Sequence, residues 1–333
     1  MKKFLWIAAA VAGLLAVASC QKEGVDGGIK GEETVVTFSV ETPEPATKII
    51  SDGEKVNVVH WAAFDNSGLP VAGLNGTAAI TGKKATFNVK LVKHYTYRFV
   101  FWALKGDQDG QHPAYDLKEF NTKGEVVVDY DGYANDDDRD AFYTHETITV
   151  ASSNEVKTVY LYRPFAQINF LAADYTSVEA VGLHKDLKST IFIKRGLPTV
   201  LHGLSGMVSG DAGTTLEYSA VPADPAYYEI EDAAGTKTTY GWYSMNYVLA
   251  ADRKSEGNDN LEIYGMFKHS KSDQAIEVLV YNVPYRRNYR TNIIGNFLTE
   301  QAVMNIEVVP GFVDEDGDGQ PDDFIHNYPE DNK

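Results

Sequence analysis

The side chains most able to do chemistry in this sequence gather near its two ends. Toward the C-terminus, the run Asp314-Glu315-Asp316-Gly317-Asp318-Gly319-Gln320-Pro321-Asp322-Asp323 sets carboxylates two residues apart and follows the third with a glycine. Loops that hold calcium need this order, because a hard cation takes several oxygens and the chain must turn sharply beneath it before offering a carbonyl. Asp314, Asp316, Asp318, Gln320 and Asp322 fit the order, and Asp323 can complete the shell. Ile325 stands where an EF-hand has its closing glutamate, so the loop is of another kind. Calcium over these residues is one expectation. A solvated acidic tail is the other, since like charges in a run repel.

At the opposite end, the only cysteine, Cys20, follows Val17-Ala18-Ser19. Ahead of it lie Lys2 and Lys3 and the apolar stretch from Phe4 to Ala16. A charged then apolar leader closed by small residues and a cysteine is a bacterial lipoprotein signal. Residues 1–19 are then removed and Cys20 carries the lipid, such as palmitate. The apolar stretch is short and alanine-rich beside the ~20 residues that a spanning helix needs. The expectation is a lipid-anchored outer-membrane protein at the cell surface, joined to the membrane through Cys20. An ordinary signal peptide cut near Ala18, leaving a free thiol, is the competing reading.

Other chemistries find little support. The chain has 47 acidic against 30 basic residues, a formal charge of −17, and loss of Lys2 and Lys3 makes it more negative still. Such a field repels phosphate backbones, so nucleic acid is not an expected partner. The eight histidines show no paired zinc spacing. Gly203-Leu204-Ser205-Gly206 lacks the spacing of a nucleophile elbow. A second acidic group, Asp129, Asp131, Asp136, Asp137, Asp138 and Asp140, lacks regular ligand spacing and reads as a charged loop. The expectation is a protein that is not an enzyme.

The elements that would carry these features are strands. Val36, Phe38 and Val40 alternate with Thr37 and Ser39; Tyr95, Tyr97, Phe99 and Phe101 alternate with Thr96 and Arg98; Ala166, Ile168 and Phe170 alternate with Gln167 and Asn169. Similar runs cover 56–64, 85–91, 125–130, 146–150, 156–162, 189–193, 238–245, 262–268, 276–281 and 304–309, separated by Gly, Asn, Asp and Pro clusters. Only pieces near Asp174 to Lys188 and Pro284 to Gly295 are expected to wind into helix. The pattern predicts an all-β protein of sandwich type. Residues 1–19 form the signal, 20–33 a Gly-rich tether, 34–162 and 163–312 two sandwich domains, and 313–333 the acidic tail. A single long strand from Thr158 to Phe170, bulged at Pro164, is the alternative to the boundary at Arg163.

Several landmarks together resemble one family. They are the leader ending in Cys20, the strand Thr34 to Val40 followed by Ala46-Thr47-Lys48, the segment Arg163-Pro164-Phe165-Ala166-Gln167-Ile168, and the segment Val283-Pro284-Tyr285-Arg286-Arg287-Asn288-Tyr289-Arg290-Thr291-Asn292-Ile293. The chain resembles the fimbrillin-like lipoproteins of Bacteroidales, the pilin type. The resemblance implies two tandem transthyretin-like (Greek-key) β-sandwich domains, a place in fimbriae as pilin, anchor or accessory subunit, a role in cell adhesion, and other fimbrial subunits as partners. It further implies loss of the first strand by proteolysis and its replacement by a strand from the next subunit. Here Lys48 would be the cleavage site, and Val36, Phe38 and Val40 would mark the strand exchanged. Family shaft subunits present arginine at that point, whereas this chain has no arginine before Arg98.

A rival reading is a surface glycan-binding lipoprotein of a polysaccharide uptake system. Trp61, Trp102 and Trp242, with Tyr240 and Tyr243 nearby, would then stack on sugar rings. Trp102 falls on the Thr96-Arg98-Val100 face of its strand and is the expected exposed platform.

Overall fold

The computed structural model describes residues 29–42, 53–130, 136–180, 187–194, 196–213, 215–218, 227–231, 235–252, 257–269, 275–299, 304–310 and 324–327. The fold is all-β, as the alternation predicts. Among the described residues the helices are single turns or little more, α1 (Phe120–Lys123) and α2 (Tyr175–Ala180), and none could cross a membrane.

In the first half, β1 (Glu33–Glu41) lies between β4 (Lys84–Val92), to which it is antiparallel, and β9 (Glu155–Tyr160), to which it is parallel. Against this three-stranded sheet packs a four-stranded one in the order β3 (Pro70–Ala79), β2 (Val58–Phe64), β5 (Thr96–Leu104), β8 (Phe142–Thr149). Val36, Phe38 and Val40 meet Trp61, Tyr97, Phe99 and Phe101 in the core between them.

Strands β2 and β5 are buried on their other face as well, where Phe64, Val100, Trp102 and Leu104 enter a second core. A third layer covers them: a small sheet in the order β13 (Met207–Ser209), β12 (Val200–His202), β7 (Glu125–Val128), β6 (Tyr115–Asp116). The β12–β13 hairpin comes from the second half of the chain and pairs with β7 from the first.

The second half contains a six-stranded sheet, β15 (Tyr227–Glu231), β16 (Lys237–Leu249), β10 (Phe165–Ala172), β19 (Tyr289–Gly295), β20 (Met304–Pro310) and β21 (Phe324–Asn327). It packs on a four-stranded sheet, β14 (Thr215–Tyr218), β11 (Leu187–Ile193), β17 (Leu261–His269) and β18 (Ile276–Val283). The rings of Phe170, Phe267 and Phe297 bind the two sheets, with centroids 5.3 to 5.5 Å apart.

Two sequence expectations are corrected. Tyr289 to Gly295 is not helical but a buried central strand, parallel to β10. Nor is Pro164 a bulge in one long strand: the chain leaves β9 in one sheet and enters β10 in another. Strand β3 leaves no signal in the sequence, because its glycines, Asn75 and exposed small residues give no apolar stripe. At Gly76 a side chain would sit 3.2 Å from the Trp61 ring, so the missing side chain leaves room for the indole.

Candidate assembly groove

The β1 strand occupies a slot that its neighbours would otherwise leave open. Its inward residues Val36, Phe38 and Val40 are fully or almost fully buried. The Phe38 ring lies 4.8 Å from Phe99, 5.5 Å from Phe87 and 5.7 Å from Phe101. Burial of the three side chains is worth about 5–9 kcal/mol before ordering costs. On the outward face Thr37 Oγ1 donates to Asn88 Oδ1 at 2.8 Å, and at the start of the inward face the buried Thr34 Oγ1 donates to Asn154 Oδ1 at 2.9 Å.

Each end of β1 carries an ion pair. Lys93 Nζ meets Glu32 at 2.5 Å and Lys84 Nζ meets Glu41 at 2.9 Å, and each lysine holds its partner's carboxyl below the ordinary range. These pairs are solvent-exposed, so they set register more than they add stability. Because β1 is central, withdrawing it would unpair the facing backbone edges of both β4 and β9 and bare the aromatic floor beneath.

Val36, Phe38 and Val40 are thus brought together on one buried face. Lys48, Cys20, and Asp314, Asp316, Asp318, Gln320, Asp322 and Asp323 lie outside the described residues. The tryptophan platform is not formed. Trp102 and Trp242 are buried, with exposures of 0% and 1%, Trp61 is buried beside Phe87, and Tyr243 is buried as well. Trp102 is covered from two sides, by Tyr115 of the third layer packed edge-on at 5.2 Å and by Phe165 at the start of β10 at 6.2 Å.

Of the second acidic group, the described members have structural partners. Lys55 and Lys105 both bond Asp138, and Lys55 also reaches Asp137. Asp136 Oδ1 accepts from the Asp138 N–H at 2.9 Å. Asp140 pairs with Arg163: Nε and Nη2 donate to its two carboxylate oxygens, each at 2.5 Å, and both side chains are buried. Burial pushes the Asp140 carboxyl up, and Arg163 pulls against that rise.

This pair belongs to a junction between the halves that sequence reasoning did not foresee. Asn288 donates its backbone N–H to Phe165 O at 2.8 Å. Its side-chain oxygen accepts from Arg163 N at 3.4 Å. The two segments that resembled the fimbrillin-like proteins therefore meet in space, at the root of the β10–β19 ladder. Arg287 Nε donates to Ala250 O at 3.0 Å and Nη2 to Gly206 O at 2.5 Å. Arg98 Nη2 donates to Leu204 O at 2.6 Å, and the Tyr143 hydroxyl to Gly203 O, so the tip of the β12–β13 hairpin is held from both halves.

No curated protein matches the chain in sequence. Its fold is similar to that of a candidate cell-adhesion protein from Bacteroides uniformis, at 12% identity and a TM-score of 0.50, over 83% of this chain and 98% of that one. Looser likenesses are to a fimbrial assembly protein from Parabacteroides distasonis, at 10% identity and a TM-score of 0.46 over 90% of this chain and 100% of that one, and to the tip fimbrial protein Mfa3 from Porphyromonas gingivalis, at 13% identity and a TM-score of 0.44 over 83% and 99%. In sequence, residues 30–328 match DUF6562, a family of unknown function, and the chain belongs to that family.

Proposed function

We propose that this protein is a non-enzymatic, lipid-anchored surface subunit of the fimbrillin-like type, acting in adhesion and joining other subunits by strand exchange at the β1 groove. The observation that carries this reading is the central place of β1. An edge strand could leave at little cost to its sheet, but a central one leaves a gap that only another extended segment can fill. Cleavage after Lys48 would cut β1 from the rest of the sandwich and let a neighbour's strand take its two ladders. The likeness to a cell-adhesion protein accords with the fold this needs. In the same reading the chain is two sandwich domains meeting at Arg163, with Cys20 as the anchor and Asp314 to Asp323 as a calcium loop. The glycan-uptake alternative loses the exposed tryptophans that favoured it.

Limited trypsin digestion tests the reading, with mass spectrometry of the new N-terminus and size analysis before and after. A cut after Lys48 followed by growth into ladders supports it. A stable monomer after that cut rejects strand exchange and leaves the protein as an anchor or stand-alone adhesin. Calorimetric titration with calcium chloride tests the tail, where absence of saturable heat rejects the calcium loop.

A further inference from the structure

Beside the third layer opens a cleft of about 760 Å³, with His60, His112, Asp116, Asn121, Asp129 and Thr199 on its walls. Thr199 comes from the second half of the chain and the others from the first, so the cleft sits at the junction. Its size falls within the ~300–1,000 Å³ typical of small-molecule sites.

Backbone contacts fix the proton on each imidazole. His60 Nε2 lies 2.7 Å from Gly110 O, so it carries the proton and donates, which makes Nδ1 the acceptor. His112 Nδ1 accepts the Ala114 N–H at 3.1 Å, so its Nε2 bears the proton and is the donor. Burial holds both rings below the ordinary histidine value, which keeps them neutral near pH 7. His60 is only 8% exposed and abuts the Phe120 ring edge-on. The one lysine of the wall, Lys118, is bonded to Asp116 at 2.6 Å, leaving the wall's formal charge negative. Between the polar groups lie Pro113, Leu117 and the exposed Val127.

The neutral donors and acceptors of His60, His112, Asn121 and Thr199, interleaved with apolar patches on a wall of net negative charge, match a ligand whose hydroxyls alternate with C–H surface. Negative charge disfavours sialylated, sulfated or phosphorylated forms of it. We propose that this cleft binds a neutral carbohydrate, held through His60, His112, Asn121 and Thr199. The site deepens the adhesive reading by giving it a ligand class. It does not depend on β1 leaving its groove, so failure here leaves strand exchange standing, and the reverse also holds.

The test is binding of the purified full chain to an array of neutral and acidic glycans of both mucin and bacterial-capsule origin, with calorimetry on the best binder. Neutral glycans are expected to be retained. His112→Ala and Asn121→Ala should each weaken binding about tenfold or more, the loss expected of a hydrogen bond worth ~1.4 kcal/mol. Both wall residues are solvent-accessible, and unchanged melting of the variants verifies folding. Tyr160→Ala, on the distant β9, should bind as the parent does. The array separates a host glycan from a bacterial one. Retention of no glycan, preference for sialylated or sulfated ones, or binding untouched by both wall substitutions overturns the proposal.

Discussion

Replacing Phe38 by alanine removes the ring that seats β1, and the structure sets the size of the loss. Phe38 is fully buried and has three aromatic neighbours within 5.7 Å. Lost transfer of the ring is worth about 2–3 kcal/mol, and lost aromatic contacts add about 0.5–1.5 kcal/mol. The two ladders hold the backbone of β1 in place, so the slot collapses little, and the expected cost is about 3–5 kcal/mol. Thr37→Ala is the control. It changes the outward face of the same strand, deletes one exposed hydrogen bond to Asn88, and should cost within about 0.5 kcal/mol. Urea unfolding of both variants and the parent, followed by circular dichroism, reads the difference as a shift in midpoint at unchanged slope. Amide exchange along β4 and β9 should also quicken in Phe38→Ala, because β1 then leaves its ladders more often. A cost below about 1 kcal/mol for Phe38→Ala, or one equal to that of Thr37→Ala, would refute the view that this ring holds β1 in the groove.

Other outcomes follow from the junction and the buried titrating groups. Asp140→Asn should destabilise by about 3–5 kcal/mol because it strands the buried Arg163, whereas Asp140→Leu with Arg163→Met should recover most of that loss in the same urea assay. His60, His112 and His145 are all held below the ordinary value of 6.5 by burial. As pH falls through about 6.5 the unfolded chain takes up protons that the folded chain refuses, so their stabilisation is complete above that value and lost below it. Urea midpoints should drop between pH 7.5 and 5.5, and His60→Gln should flatten the slope. At Gly203 a side chain would fall 2.3 Å from Gly124 O and 2.6 Å from Val100, so Gly203→Ala should cost about 1–3 kcal/mol and speed amide exchange at Val126 on β7.

The strands with one apolar face were legible from alternation, and β1 is the clearest: Val36, Phe38 and Val40 meet the core, while Glu33, Thr37 and Glu41 on the other face reach solvent at least in part. Strand β5 shows where alternation misleads. Thr96 and Arg98 suggested an outward face, but farther along that face Val100 and Trp102 are covered by a layer assembled from residues far away in sequence. In strand β10 alternation accounts for only one face, since Gln167 and Asn169 look like outward residues yet are buried. Asn169 Nδ2 donates to Gln167 at 3.3 Å and to Asn292 at 2.9 Å. The same exchange of polar partners hid β19, whose Arg290, Thr291 and Asn292 look like surface residues and are buried. Pairings such as Asp140 with Arg163, and the gathering of His60 with His112, depend on tertiary folding and leave no periodic trace in the chain. The groove strand was therefore readable from local pattern, while the junction and the cleft were not.

The most direct test of strand exchange is to lock β1 in place. Thr37 and Asn88 are register partners on β1 and β4 whose side chains touch on the outward face. A Thr37→Cys, Asn88→Cys variant, with Cys20→Ser to remove the other thiol, can close a disulfide across that ladder. After cleavage at Lys48, a monomer is expected when the disulfide is formed and ladders when it is reduced. Ladders of equal length in both states, or none in either, would contradict it.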